Sequence, residues 1–299
     1  RYSQHAIDFL SRYTGVPYPW PHMTAVEGGG IIGGGMEYPM MTLMGDYNAR
    51  GDSALYYVTA HELAHMWVPM QVATDEKRYA WMDEGLTTFH ENEARTEFFP
   101  GQRSHLPDMR DYVGVAREGH GVPIMRWMDY QYPRAGNVPN YDKPASVLVG
   151  LRSLIGDEAF REGLRTFLRE WRWKHPYPWD FFRTFERVAE RDLSWFWRAW
   201  YYETWPLDQA VVDVRGRGGD VTIELADLGW VPMPMDVEVT LEEGLRLRRE
   251  ISVQRWLEGH RSFELEIQTP SPVVRVEVDP EHRLPDVNRE NNVWAREGS

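Results

Sequence analysis

Residues 56–68 of the chain read YYVTAHELAHMWV, which sets His61 and His65 four positions apart with Glu62 beside the first. On a helix, positions i and i+4 lie one turn apart on the same face. Two imidazoles placed in that way can hold one Zn²⁺, with ring nitrogens about 2.0–2.1 Å from the ion. Glu62 lies within reach of a metal-bound water and has the chemistry of a general base. This is the H-E-x-x-H arrangement of zinc peptidases. The alternative is two partly buried histidines that share a helix. A third ligand has to come from elsewhere, and YAWMDEGLTTF supplies Glu84, with 18 residues between His65 and Glu84. Two His and one Glu leave a fourth position open for water, the catalytic kind of site and not the closed structural kind.

These residues need helices to hold them. Asp52 or Ser53 can cap a helix that runs to about Trp67, where Pro69 stops it. A second helix is expected from near Asp83 to Phe98, ended by Pro100 and Gly101. Upstream, residues 1–14 read as a helix ending before Gly15. The segment MTAVEGGGIIGGGMEYPMMTLMGD has too many glycines for a helix interior and reads as strand, turn, then edge strand. From 142 to 203 the pattern is helical, broken by Gly or Pro-rich turns. Beyond Trp205–Pro206, stretches such as MDVEVTLEEG, RSFELEIQT and VVRVEVD alternate apolar with polar residues. That pattern predicts a small antiparallel β-sandwich over 207–286 and then a polar tail. The expected class is α+β, with a mostly helical domain at 1–206 and a β-domain at 207–299.

Composition narrows the partners. The 299 residues carry 33 Lys and Arg against 46 Asp and Glu, a net charge of −13. Such a chain is a poor match for nucleic acid or an anionic membrane surface. There is no cysteine, so a metal has to rest on His and carboxylates. No apolar run approaches the ~18–20 residues that span a bilayer, and no signal peptide is visible. The chain opens without Met, which reads as a trimmed N-terminus. It is expected to be soluble, either cytoplasmic or extracytoplasmic after loss of a targeting segment.

HELAHMW followed after 18 residues by WMDEG is similar to the gluzincin zinc metallopeptidases of the aminopeptidase N and leukotriene-hydrolase family. GGMEY, Gly34 to Tyr38, resembles the family's G-x-M-E-N exopeptidase motif, and NYDKPASVL resembles its Y-x-K segment. YPWPHM and the closing DPEHRLPDVNRENN also look like family sequence. The resemblance implies a thermolysin-like catalytic domain with one Zn²⁺ per chain on His61, His65 and Glu84. It implies Glu62 as the general base and Tyr141 as the donor to the oxyanion. Gly34, Gly35 and Met36 would pair with the substrate backbone, and Glu37 would hold the free α-ammonium of a peptide. Asp83 is read first as a helix-start charge and second as a support for a ligand. Met36, Met40, Met41 and Met44 suit either a side-chain pocket or ordinary core.

Three departures qualify the resemblance. Tyr38 stands where the motif usually has Asn. Nothing corresponds to the family's N-terminal β-domain, or to its C-terminal helical domain. A short form is therefore expected to have an open cleft and an apolar surface where a missing N-terminal domain or a partner chain docks. The expected reaction is release of N-terminal residues from peptides. An endopeptidase or oligopeptidase with a relaxed cleft is the alternative. A non-catalytic interaction module on a peptidase scaffold is the rival from another class, and leukotriene-type epoxide hydrolysis is a weaker third.

Overall fold

The computed structural model describes residues 1–216 and 219–296. Residues 217–218, inside the predicted strand stretch VVDVRGRGGDVTIEL, and 297–299, the end of the predicted tail, lie outside the described residues. The opening helix α1, Tyr2–Thr14, stops where Gly15 adopts a left-handed conformation (φ 68°) that glycine takes at little cost. Three short strands follow: β1 (Thr24–Glu27), β2 (Gly35–Met36) and β3 (Met41–Met44). The sheet order is β1-β3-β2, with β3 parallel to β1 and antiparallel to β2. The predicted edge strand is thus the two-residue glycine strand β2, and Met41–Met44 takes the centre.

Helix α2, Asp52–Ala64, carries His61 and Glu62, and His65 is the residue that caps its end. Its N-cap is not Asp52 or Ser53, as the sequence predicts, but Gly51. The backbone at Gly51 has φ 92°, a region that favours glycine, and this turns the chain sharply into the helix. Asp52 becomes the first helical residue, where its charge faces the positive helix end. Helical order ends at Ala64, earlier than predicted, and continues as tight turns in which the Met66 and Trp67 amides donate to Leu63 and Ala64.

A π-helical turn, Trp81–Gly85, leads into α3, Leu86–Phe98. Then comes α4, Leu106–Arg117, which the sequence reading did not anticipate. The predicted helical region holds α5 (Asp142–Ile155), α6 (Asp157–Trp171), α7 (Pro178–Ala189) and α8 (Ser194–Trp197). The helical portion packs around an aromatic core. Trp81 stacks on Phe182 at 6.0 Å and meets Tyr201 edge-on at 4.8 Å. Trp67 is buried and its Nε1 donates to the Val16 carbonyl at 2.7 Å. Truncating one such aromatic to Ala would cost about 3–5 kcal/mol. Trp81 and Trp67 flank the chemistry-bearing residues, so the core fixes where those residues sit.

The β portion has β4 (Gln209–Arg215), β5 (Gly219–Asp227), β6 (Met235–Leu241), β7 (Arg246–Ile251), a short helix α9 (Gln254–Leu257), β8 (Ser262–Thr269), β9 (Val273–Val278) and β10 (Val293–Ala295). They form two antiparallel sheets, β4-β5-β8 and β10-β9-β6-β7. Alternate residues of both, including Ile223, Leu225, Val237, Val239 and Val276, share one apolar core. β10 corrects the expected polar tail: Trp294 packs on this core while its strand pairs with β9. Leu207, Val231, Met233 and Leu284 belong instead to the helical core, so the two portions are joined by apolar packing. No helix among the described residues is long and apolar enough to cross a membrane.

Candidate active site

His61 and Glu62 lie in the last turn of α2, and the π-helical turn brings Glu84 opposite them. In that turn the Leu86 amide donates to the Trp81 carbonyl, one residue beyond the usual α-helical partner. Such single-turn bulges re-aim side chains and recur at functional sites. Gly85 lets the turn approach α5, since a Cβ there would lie 2.5 Å from Pro144.

His61 Nε2, His65 Nε2 and Glu84 Oε2 form a triangle with all three edges at 3.3 Å. Three corners of a tetrahedron with arms of about 2.0–2.1 Å are about 3.3–3.4 Å apart. The far side of each ring is also held. His61 Nδ1 lies 3.2 Å from Glu91 Oε2. His65 Nδ1 lies 2.9 Å from Asp83 Oδ1 and 3.1 Å from the Val68 carbonyl, the carbonyl being the better aligned. Acceptors at Nδ1 keep a proton there and leave the Nε2 lone pairs facing the shared point. Burial works against charge on His61, but Glu84 and Glu91 push it up to about 10. Burial likewise opposes the charge on Glu84, yet the two imidazoles hold it well below the usual range. The carboxylates around this point call for a cation, and the donor set fits a divalent ion with one position left open.

Glu62 is buried, and its Oε2 has no hydrogen-bond partner among the described residues. Burial raises its pKa to about 7. Its carboxylate lies against the backbone of Gly35, where a Cβ would come within 1.9 Å of Oε1. Tyr141, the residue before α5, stacks its ring on His61 at 5.9 Å and 17°. Burial and the Glu84 charge raise its pKa, so the hydroxyl keeps its proton.

Glu37 is half-buried, and its carboxylate, that of Glu62 and a nitrogen of His65 lie within 4.8 Å of one another. Gly34, Gly35 and Glu37 line the same cleft of about 330 Å³ as His61, Glu62, His65, Glu84 and Tyr141. Met36 does not line it; side chains alternate along a strand, and Met36 is 37% exposed. Of the other methionines, Met44 is buried and Met41 exposed. Asp83 corrects the helix-start reading: it is buried against His65, behind the triangle. Glu91 was missed altogether. Its signal was its spacing, seven residues beyond Glu84 and two turns along the same helix.

A family model described as the Peptidase family M1 domain matches residues 2–200. Among curated proteins, Aminopeptidase M1-C of Oryza sativa subsp. japonica is 23% identical over 233 residues, which is 73% of this chain and 26% of that protein. Leucyl aminopeptidase of Saccharolobus solfataricus is 24% identical over 206 residues, covering 64% of this chain and 26% of its own. The chain thus spans about a quarter of the length of these relatives. The crystal structure of Legionella pneumophila aminopeptidase A in complex with aspartic acid matches with a TM-score of 0.71 at 15% identity, covering 95% of this chain and 33% of that one.

Proposed function

The chain belongs to peptidase family M1, and from that premise we propose that it is a zinc-dependent aminopeptidase hydrolysing N-terminal residues from peptides. The observation that carries the proposal is the 3.3 Å triangle of His61, His65 and Glu84 with the unpartnered Glu62 oxygen beside it. We read residues 1–206 as a thermolysin-like catalytic domain and 207–299 as its β-sandwich companion.

His61, His65 and Glu84 would hold a Zn²⁺, which would supply an acidified water and a Lewis acid for the scissile carbonyl. Glu62 takes the water's proton on its carboxylate and returns it to the leaving amine. The Tyr141 hydroxyl donates to the oxygen that gains negative charge. Glu91 and Asp83 keep the two imidazoles turned to their shared point. Glu37 accepts the substrate's α-ammonium, which makes the enzyme count from the N-terminus. β2 has a free edge in front of Glu62, and its glycines admit a peptide backbone as an added strand, with Gly34 and Gly35 beneath it and Met36 contributing main chain.

The test is a panel of peptides with free and N-acetylated termini, assayed with and without a zinc chelator. Cleavage restricted to free termini and abolished by chelation is expected. Cleavage of blocked peptides at a comparable rate would move the reading to an endopeptidase. Absence of any metal-dependent cleavage would leave an interaction module on a peptidase scaffold.

A further inference from the structure

A second concavity, of about 320 Å³, shares no lining residue with the active-site cleft. One wall is the outer face of α4, with Leu106, Val113 and Gly114; the other is Leu284 and Pro285. Arg110 and Arg117 also line it. Both are exposed, and their side chains make no ion pair or hydrogen bond among the described residues. Arg289, which lines the same groove, is by contrast paired with Asp279 at 2.8 Å. Asp286, at the same groove, does not neutralise them. Its carboxylate accepts from the Gln209 and Asn288 amides, both at 2.8 Å, and from Asn292 at 3.0 Å.

Gly114 is the second observation. It sits inside α4, where glycine weakens a helix relative to alanine. Nothing in this chain requires it, because a Cβ there would meet no atom within 4 Å. Its effect is a notch in that wall of the groove, where another backbone can come close. Arg110 and Arg117 are seven residues apart, so they stand about 10.5 Å apart along the helix axis. That separation is too wide for one carboxylate. It matches two carboxylates two helical turns apart on a second helix.

We propose that this groove docks an amphipathic helix of another polypeptide, with an apolar stripe seated over Gly114 and an acidic side chain at each end. Positive charge at the rim of a chain with net charge −13 selects acidic partners against the general repulsion.

The experiment uses the full chain and a labelled synthetic helix carrying a Leu stripe and two Glu seven positions apart. The peptide is N-acetylated, so that the proposed active site does not consume it. Fluorescence anisotropy should show saturable binding, weakened at least tenfold by Gly114→Trp and by Arg110→Glu with Arg117→Glu. Gly114→Ala should raise the melting temperature by a few degrees and keep most of the binding. Should Gly114→Trp fail to fold, the arginine variant decides. The proposal is overturned if there is no saturable binding, if neither variant changes it, or if a Lys-for-Glu peptide binds as well. Sedimentation showing a dimer of the chain alone that Gly114→Trp dissociates would assign the groove to a second copy, and would also overturn it.

Discussion

At one end of the cleft, His61 and His65 each have a buried carboxylate behind them, Glu91 and Asp83, set on or beside α3. At the other end, Glu37 follows a two-residue strand preceded by glycines, and makes no ion pair or side-chain hydrogen bond among the described residues. The first end is fixed twice over, once by its helices and again by the partners of its rings. The second is fixed by a strand edge alone. Chemistry that depends on tenths of an ångström belongs at the first end. Recognition of a mobile, charged terminus tolerates the second. We expect substitutions at the buried end to remove turnover, and substitutions at the glycine end to change which peptides are accepted.

The sharpest break should come from Glu62→Gln. Turnover should fall about 10²–10⁴-fold while the bound zinc, measured by elemental analysis, stays at the wild-type level. Tyr141→Phe should lower kcat about 10²–10³-fold with little change in KM, since a donor to the transition-state oxygen is lost. Glu91→Gln should weaken zinc binding about 10–100-fold in competition with a chelator. Excess zinc should restore its rate, a recovery that Tyr141→Phe should not show. At the other end, Glu37→Gln should lower kcat/KM for free-amine peptides about 10-fold or more, the worth of a hydrogen bond to a charged group, and leave any activity on blocked peptides alone. The smallest effect lies outside the cleft. Gly114→Ala should raise stability by about 0.5–1 kcal/mol, read from urea unfolding.

The two ends also differed in what could be read from the residues. His61, Glu62 and His65 announce themselves because helical spacing is local, and Glu84 through the WMDEG stretch that follows after 18 residues. The partners behind them do not. Asp83 reads as a helix-start charge until the π-helical turn carries it against His65, and that turn depends on a single shifted backbone bond. Glu91 lies on the right helical face, but only the packing of α3 on α2 gives it His61. Backbone pairing hid β10, whose residues Val293–Ala295 follow a polar run and are held by β9. α4 was hidden by its own composition: only Met109 and Tyr112 are buried, and Gly114 interrupts it. The Gly51 cap was missed because its cause is a backbone angle and not a side chain.

The central claim is one catalytic ion per chain, held by His61, His65 and Glu84. It is tested most directly by stripping the protein with a chelator and titrating zinc back while turnover on a free-amine peptide is followed. Turnover should rise linearly and level off at one zinc per chain, and Glu84→Ala should take up no zinc in the same range and stay inactive. Turnover that ignores zinc, a plateau at another stoichiometry, or full activity from Glu84→Ala would contradict it.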